Sequence, residues 1–323
     1  MRRLLPLLLV PALAGCEDLG KLAEDLGDVL DYDGIAQVVP PNGSDRVPLR
    51  SPVVIFADDV YGDVRFEAEV EDSAGAITDI SAELRVEERT SGADKDIYVL
   101  TTAEGWPASS TVTVRARGEI DRQVRFSTVA DGGLFDTPPD LGFESADSPD
   151  LPVGWRGFGD AAAISERGSL SPAAGDKQLA LSTGDAVTRK AVGDTSSMAV
   201  SDPIDQGPTS TLAFVYRFQS SEFDDYCGSD FDDTMMVVAS GPDGAVARVV
   251  DSVNLVCRQD RQVRANFPGL PDDGDDVYKG TAETEEEVDL SSVGSPFSVA
   301  FLVTDVGDAI LTSVVGVDDI EAR

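Results

Sequence analysis

From residue 37 onward the chain alternates between apolar and polar residues with a period of two. Val64, Phe66, Ala68 and Val70 share one face while Arg65, Glu67 and Glu69 share the other, the pattern of a half-buried antiparallel strand. Runs at 97–100, 111–117 and 123–128 repeat it, separated by turns rich in Gly, Asp and Ser. About seven such strands over residues 37–130 are enough for one β-sandwich. A second series follows, with Leu212, Phe214, Tyr216 and Phe218 facing in and Ala213, Val215 and Arg217 facing out. Further strands are expected at 178–182, 235–239, 245–251, 262–267, 298–303 and 310–317. Two sheets are needed to bury those faces, and a jelly roll over 141–323 is the natural closure. Between the two units, residues 131–140 are rich in Gly, Asp and Pro and read as a linker of limited flexibility.

The first 36 residues follow another pattern. Arg2 and Arg3 precede an apolar run from Leu4 to Val10, too short to span a bilayer, and then Leu13-Ala14-Gly15-Cys16. This segment resembles a bacterial lipoprotein signal with its lipobox. The resemblance implies cleavage after residue 15 and a lipid on Cys16, so that acyl chains hold the mature chain to a membrane. The expected address is the extracytoplasmic cell envelope, anchored to the inner or the outer membrane. Residues 16–36 form an acidic tether, with Leu19, Leu22, Leu26, Val29 and Leu30 at near-helical spacing interrupted by Gly20 and Gly27.

Charge narrows the function classes. The 323 residues carry 25 basic and 60 acidic side chains, a net charge of -35. Such a surface repels nucleic acid and attracts cations. The chain holds no histidine, which removes the Ser-His-Asp triad, the Cys-His dyad and histidine-ligated zinc or copper. Carboxylate chemistry and oxygen-ligated metals survive that exclusion. With Cys16 lipidated, Cys227 and Cys257 are the remaining cysteines, and in an oxidising compartment they are expected to pair as a disulfide.

Both β units carry family resemblances. Residues 41–49, Pro-Asn-Gly-Ser-Asp-Arg-Val-Pro-Leu, with the following strand at 52–56, Thr111-Val112-Thr113-Val114 and the closing Arg125-Phe126-Ser127-Thr128, resemble the bacterial Ig-like domain of the SbsA type. That family implies an Ig-like β-sandwich acting as a non-catalytic spacer or adhesive module. Gly142-Phe143-Glu144, Leu151-Pro152-Val153-Gly154-Trp155, the 175–184 segment and Val317-Asp318-Asp319-Ile320 resemble extracellular jelly rolls of the carbohydrate-binding and choice-of-anchor kind. By that resemblance Glu144 and Asp319 share a structural Ca²⁺ with loop carbonyls around 175–177.

The string from Phe218 to Met235 resembles the Ser-Glu-(Phe/Tyr)…Phe-Asn-Asp-x-Phe signature of choice-of-anchor domains, with Asp232 at the usual Asn position and Met235 at the aromatic one. Six acids lie from Glu222 to Asp233, and held together they would repel unless a cation sat among them. Glu222, Asp232 and Asp233 are the first ligands to test. The clusters at 272–276 and 283–287 read as solvated turns.

The expectation is a lipid-anchored, non-enzymatic envelope protein: an Ig-like spacer presenting a calcium-stabilised jelly roll that interacts with a glycan or a surface protein. A polysaccharide-binding surface protein and a carboxylate-dependent glycan hydrolase are the rival readings. Trp106 and Trp155, the two tryptophans, are expected in cores rather than on a sugar-stacking surface.

Overall fold

The computed structural model describes residues 37–57, 63–91, 95–118, 120–130, 138–147, 150–188, 196–205, 207, 210–223, 226–267, 279–305 and 312–323. The lipoprotein signal, Cys16, the acidic tether, residues 131–137 of the linker and the 272–276 cluster lie outside the described residues.

Strands β1 (Gln37–Val39), β2 (Val53–Ala57), β3 (Val64–Glu71), β4 (Ile77–Asp79), β5 (Leu84–Thr90), β6 (Asp96–Thr102), β7 (Thr111–Gly118) and β8 (Arg122–Ser127) build the first sandwich. They form two antiparallel sheets, ordered β1-β2-β6-β5 and β4-β3-β7-β8. The second sandwich contains β9 (Trp155–Phe158), β10 (Asp160–Ile164), β11 (Gln178–Ser182), β12 (Ser196–Ser201), β13 (Thr211–Ser220), β14 (Thr234–Ser240) and β15 (Ala245–Ser252). Helix α1 (Val253–Arg258) follows, then β16 (Val263–Arg264), β17 (Lys279–Gly280), β18 (Thr284–Asp289), β19 (Ser298–Thr304) and β20 (Ser313–Ala322). One of its sheets runs β10-β11-β20-β13-β17-β16 with β18 also paired to β13, and the other runs β15-β14-β19-β12-β9. The architecture is all-β, as the alternation predicts.

Leu212, Phe214, Tyr216 and Phe218 all enter the core between the two sheets, as expected. Two segments depart from expectation. The acidic stretch read as a solvated turn forms β18, with Glu285 and Glu287 exposed and Val288 buried, because a single inward apolar residue beside β13 is enough to seat an edge strand. The 262–267 run is strand only at Val263–Arg264, because Ala265 and Phe267 leave the ladder to cover the outer face of the larger sheet with Leu170, Val187 and Val314. Helix α1 has no periodic signal in the sequence. It is set by Ser252, which has extended backbone and whose side chain accepts the Leu255 N–H.

The two sandwiches pack side by side through the smaller sheet of the second. Met235, Val237 and Ala239 of β14 point into the second sandwich, and Met236 and Val238 join the core of the first. On β19, Val299, Phe301 and Val303 face one way and Ala300 and Leu302 the other. A sheet apolar on both faces has no face to give to water, so the first sandwich covers it. Five large side chains on that face (Met198, Val200, Met236, Val238 and Leu302) contribute on the order of 10 kcal/mol of gross burial.

Polar contacts fix the register of the two units. Arg89 donates to the Ala247 carbonyl at 2.7 Å, the Ala247 N–H donates to Glu87 at 3.1 Å, and Arg156 pairs with Asp45 at 2.7 Å. The Thr304 hydroxyl donates to Gln37 Oε1 at 2.8 Å.

Candidate metal centre at the end of the second sandwich

Five strands of the second sandwich end their inward-facing apolar series on polar residues, all at one end of the core. On β11, Leu179 and Leu181 lead to Thr183. The inward positions of β13, Leu212, Phe214, Tyr216 and Phe218, lead to Ser220 and Glu222. Asp233 precedes Met235 and Val237 of β14. Val299, Phe301 and Val303 of β19 lead in the same way to Asp305, and Ser313 precedes Val315 and Val317 of β20.

Three of these residues converge. One carboxylate oxygen from each of Glu222, Asp233 and Asp305 lies within 4.8 Å of the others, and all three residues are buried. At that separation each pair of ionised carboxylates repels by about 3–4 kcal/mol at an effective dielectric of ~20, and a divalent cation offsets this. Around them, Thr183 donates its hydroxyl to Asp233 Oδ2 at 3.4 Å and accepts the Ser313 N–H at 2.9 Å. The Ser220 hydroxyl accepts the Glu222 N–H at 3.0 Å. Ser313 Oγ, on the inward face beside Thr183, is wholly buried and makes no hydrogen bond among the described residues. An all-oxygen donor set of carboxylates and hydroxyls is the chemistry of Ca²⁺ rather than of a soft metal.

Of the residues expected from the 218–235 string, Glu222 and Asp233 meet here. Asp232 turns the other way, and its Oδ1 accepts the Asn254 N–H at the start of α1 at 2.7 Å. Sequence reasoning misses Asp305. Its signal is the period-two series on β19, which continues one step past the strand end to an acid.

Glu144 and Asp319 line one surface pocket together with Gly175 and Asp318. Glu144 Oε1 accepts the N–H groups of Asp176 and Lys177 at 2.8 and 3.0 Å. Gly175 adopts φ +63°, and a Cβ there would overlap the Glu144 carboxylate. Asp318, 2% exposed, accepts the Ala174 N–H at 2.9 Å, and burial pushes its carboxyl above the usual carboxylate range. Gly142–Glu144 forms turns rather than a first strand.

Cys227 and Cys257 form the expected disulfide, with Cα atoms 5.8 Å apart. Both tryptophans are core residues. Trp106 donates to the Ser51 carbonyl at 2.7 Å, and Trp155 donates to the Asp140 carbonyl at 2.9 Å and packs on Phe143 and Phe301.

No family model and no curated protein sequence matches the chain. Among solved structures it is similar to the K1 cleaved adhesin domain of Lys-gingipain from Porphyromonas gingivalis W83, at 15% identity and a TM-score of 0.33, over 56% of this chain and 96% of that one. It is also similar to TmCBM61, solved with β-1,4-galactotriose, at 12% identity and a TM-score of 0.28, over 57% of this chain and 95% of that one. A family 16 carbohydrate-binding module matches at 12% identity and a TM-score of 0.26, over 51% of this chain and 85% of that one.

Proposed function

We propose that this chain is an exported, lipid-anchored and non-catalytic envelope protein whose second sandwich is a calcium-stabilised interaction module. The observation that carries the ion is the buried convergence of Glu222, Asp233 and Asp305 at the end of the core. Glu222 extends β13 in the larger sheet, while Asp233 and Asp305 flank β14 and β19 in the smaller one, so a cation there ties the two sheets together. The pocket of Glu144, Asp318 and Asp319 is a second position for Ca²⁺, farther along β20. The lipid anchor rests on the Leu13-Ala14-Gly15-Cys16 motif.

A glycan is the ligand class to test first. Tyr226 and Phe231, both half-buried, stand edge to face with centroids 5.1 Å apart on the disulfide-bearing loop. They offer the partly exposed aromatic surface that the buried tryptophans do not.

Thermal melting tests the ion. At a Ca²⁺ concentration about 100-fold above Kd the midpoint is expected to rise by roughly 5 °C over the chelated protein. Asp305→Asn is expected to abolish most of that rise. An unchanged midpoint in the native chain ends the calcium reading.

A further inference from the structure

We propose that the Cys227–Cys257 disulfide controls cation affinity at the Glu222–Asp233–Asp305 centre, so that the reduced chain releases the ion. This rests on the calcium reading above and concerns the regulation of that same site.

The segment from Glu222 to Asp233 carries a proposed ligand at each end and Cys227 between them. Cys227 is bonded to Cys257 near the end of α1. The start of α1 grips the other end of the segment: the Val253 N–H donates to the Asp233 carbonyl at 3.1 Å and the Asn254 N–H to Asp232 Oδ1 at 2.7 Å. The Asn254 side chain holds the middle, accepting the Gly228 N–H at 2.5 Å and donating to the Ser229 carbonyl at 2.8 Å. The loop, the disulfide and the helix therefore close a ring that begins at one ligand and returns to the other.

Helix α1 has six residues, too few to be stable without external support. The disulfide supplies part of that support. With it intact, Cys227 is already tied to the end of α1 when the ion arrives; without it, bringing the two together opposes binding. Cys227 is exposed, so a thiol can reach it. A dithiol reductant attacks the disulfide, the S–S bond breaks, two electrons and two protons pass to the cysteine sulfurs, and the reductant leaves as its own cyclic disulfide. By linkage, an ion that binds the oxidised form more tightly also protects the disulfide from reduction.

Two measurements test this on the full chain, with Ca²⁺ alone as the probe. Calorimetric titration of the oxidised protein is compared with that of Cys227→Ser/Cys257→Ser, which is expected to bind at least about tenfold more weakly. The rate of reduction of the native disulfide by dithiothreitol is expected to be several-fold slower in Ca²⁺ than in chelator, and this protection is expected to vanish in Asp305→Asn. If the double variant does not fold, the reduction rates decide. Equal affinity of the oxidised chain and the double variant, or equal reduction rates in Ca²⁺ and in chelator, overturns the coupling. No binding by the oxidised chain overturns the calcium reading on which it rests.

Discussion

Asp251 is wholly buried in the second sandwich, where Tyr216 donates its hydroxyl to Oδ2 at 2.9 Å and Arg261 donates to Oδ1 at 2.7 Å. Burial pushes the Asp251 carboxyl above its ordinary range, with Arg261 and Tyr216 opposing the shift, and burial beside that charge pushes the Tyr216 hydroxyl up as well. A carboxyl whose folded pKa exceeds its unfolded value contributes stability that is full below the unfolded value, near 3.9, and is lost as pH rises through the folded one. Arg261→Met removes the group that limits the loss. The variant is expected to be about 2 kcal/mol less stable than the parent at pH 7, with the difference shrinking toward pH 4, as measured by urea denaturation at both values. An equal difference at the two pH values would remove Asp251 from this account.

At the scale of the element, β14 and β19 depart from the ordinary strand of an antiparallel sandwich, which gives one face to water. All seven residues of each are buried, and alternate residues serve different cores. Met236→Ser is therefore expected to cost about 2–4 kcal/mol, as an interior truncation does, although Met236 points away from the second sandwich. On β18, Glu285→Ser is expected to change stability by less than about 0.5 kcal/mol, because that side chain is exposed. Chemical denaturation of the two variants makes the comparison, and similar small effects at both positions would mean that the first sandwich does not cover β14.

For the whole molecule, the shared sheet is expected to make the sandwiches one cooperative unit. A single calorimetric transition is expected, with van't Hoff and calorimetric enthalpies in agreement, whereas two resolved transitions in the native chain would contradict it. Much of this architecture was legible in the sequence, since a period-two pattern is set by which face of a strand is dry: β11 spans 178–182 as expected, and the inward series of β13 enters the core residue by residue. The continuous apolar runs of β14 and β19 are consistent with burial on both faces but do not say what covers the second face, because alternation reports dryness and not the identity of the neighbour. Glu222 and Asp233 were legible as candidates from their local string, and the disulfide from the count of cysteines in an oxidising compartment. Asp305 stands 72 residues beyond Asp233 in the chain, and only the pairing of β14 with β19 brings the two together. Local pattern determines what each strand must bury. Which strand ends share a space depends on the order of strands in the sheets, and that order is decided by long-range pairing energies that no short stretch of sequence contains.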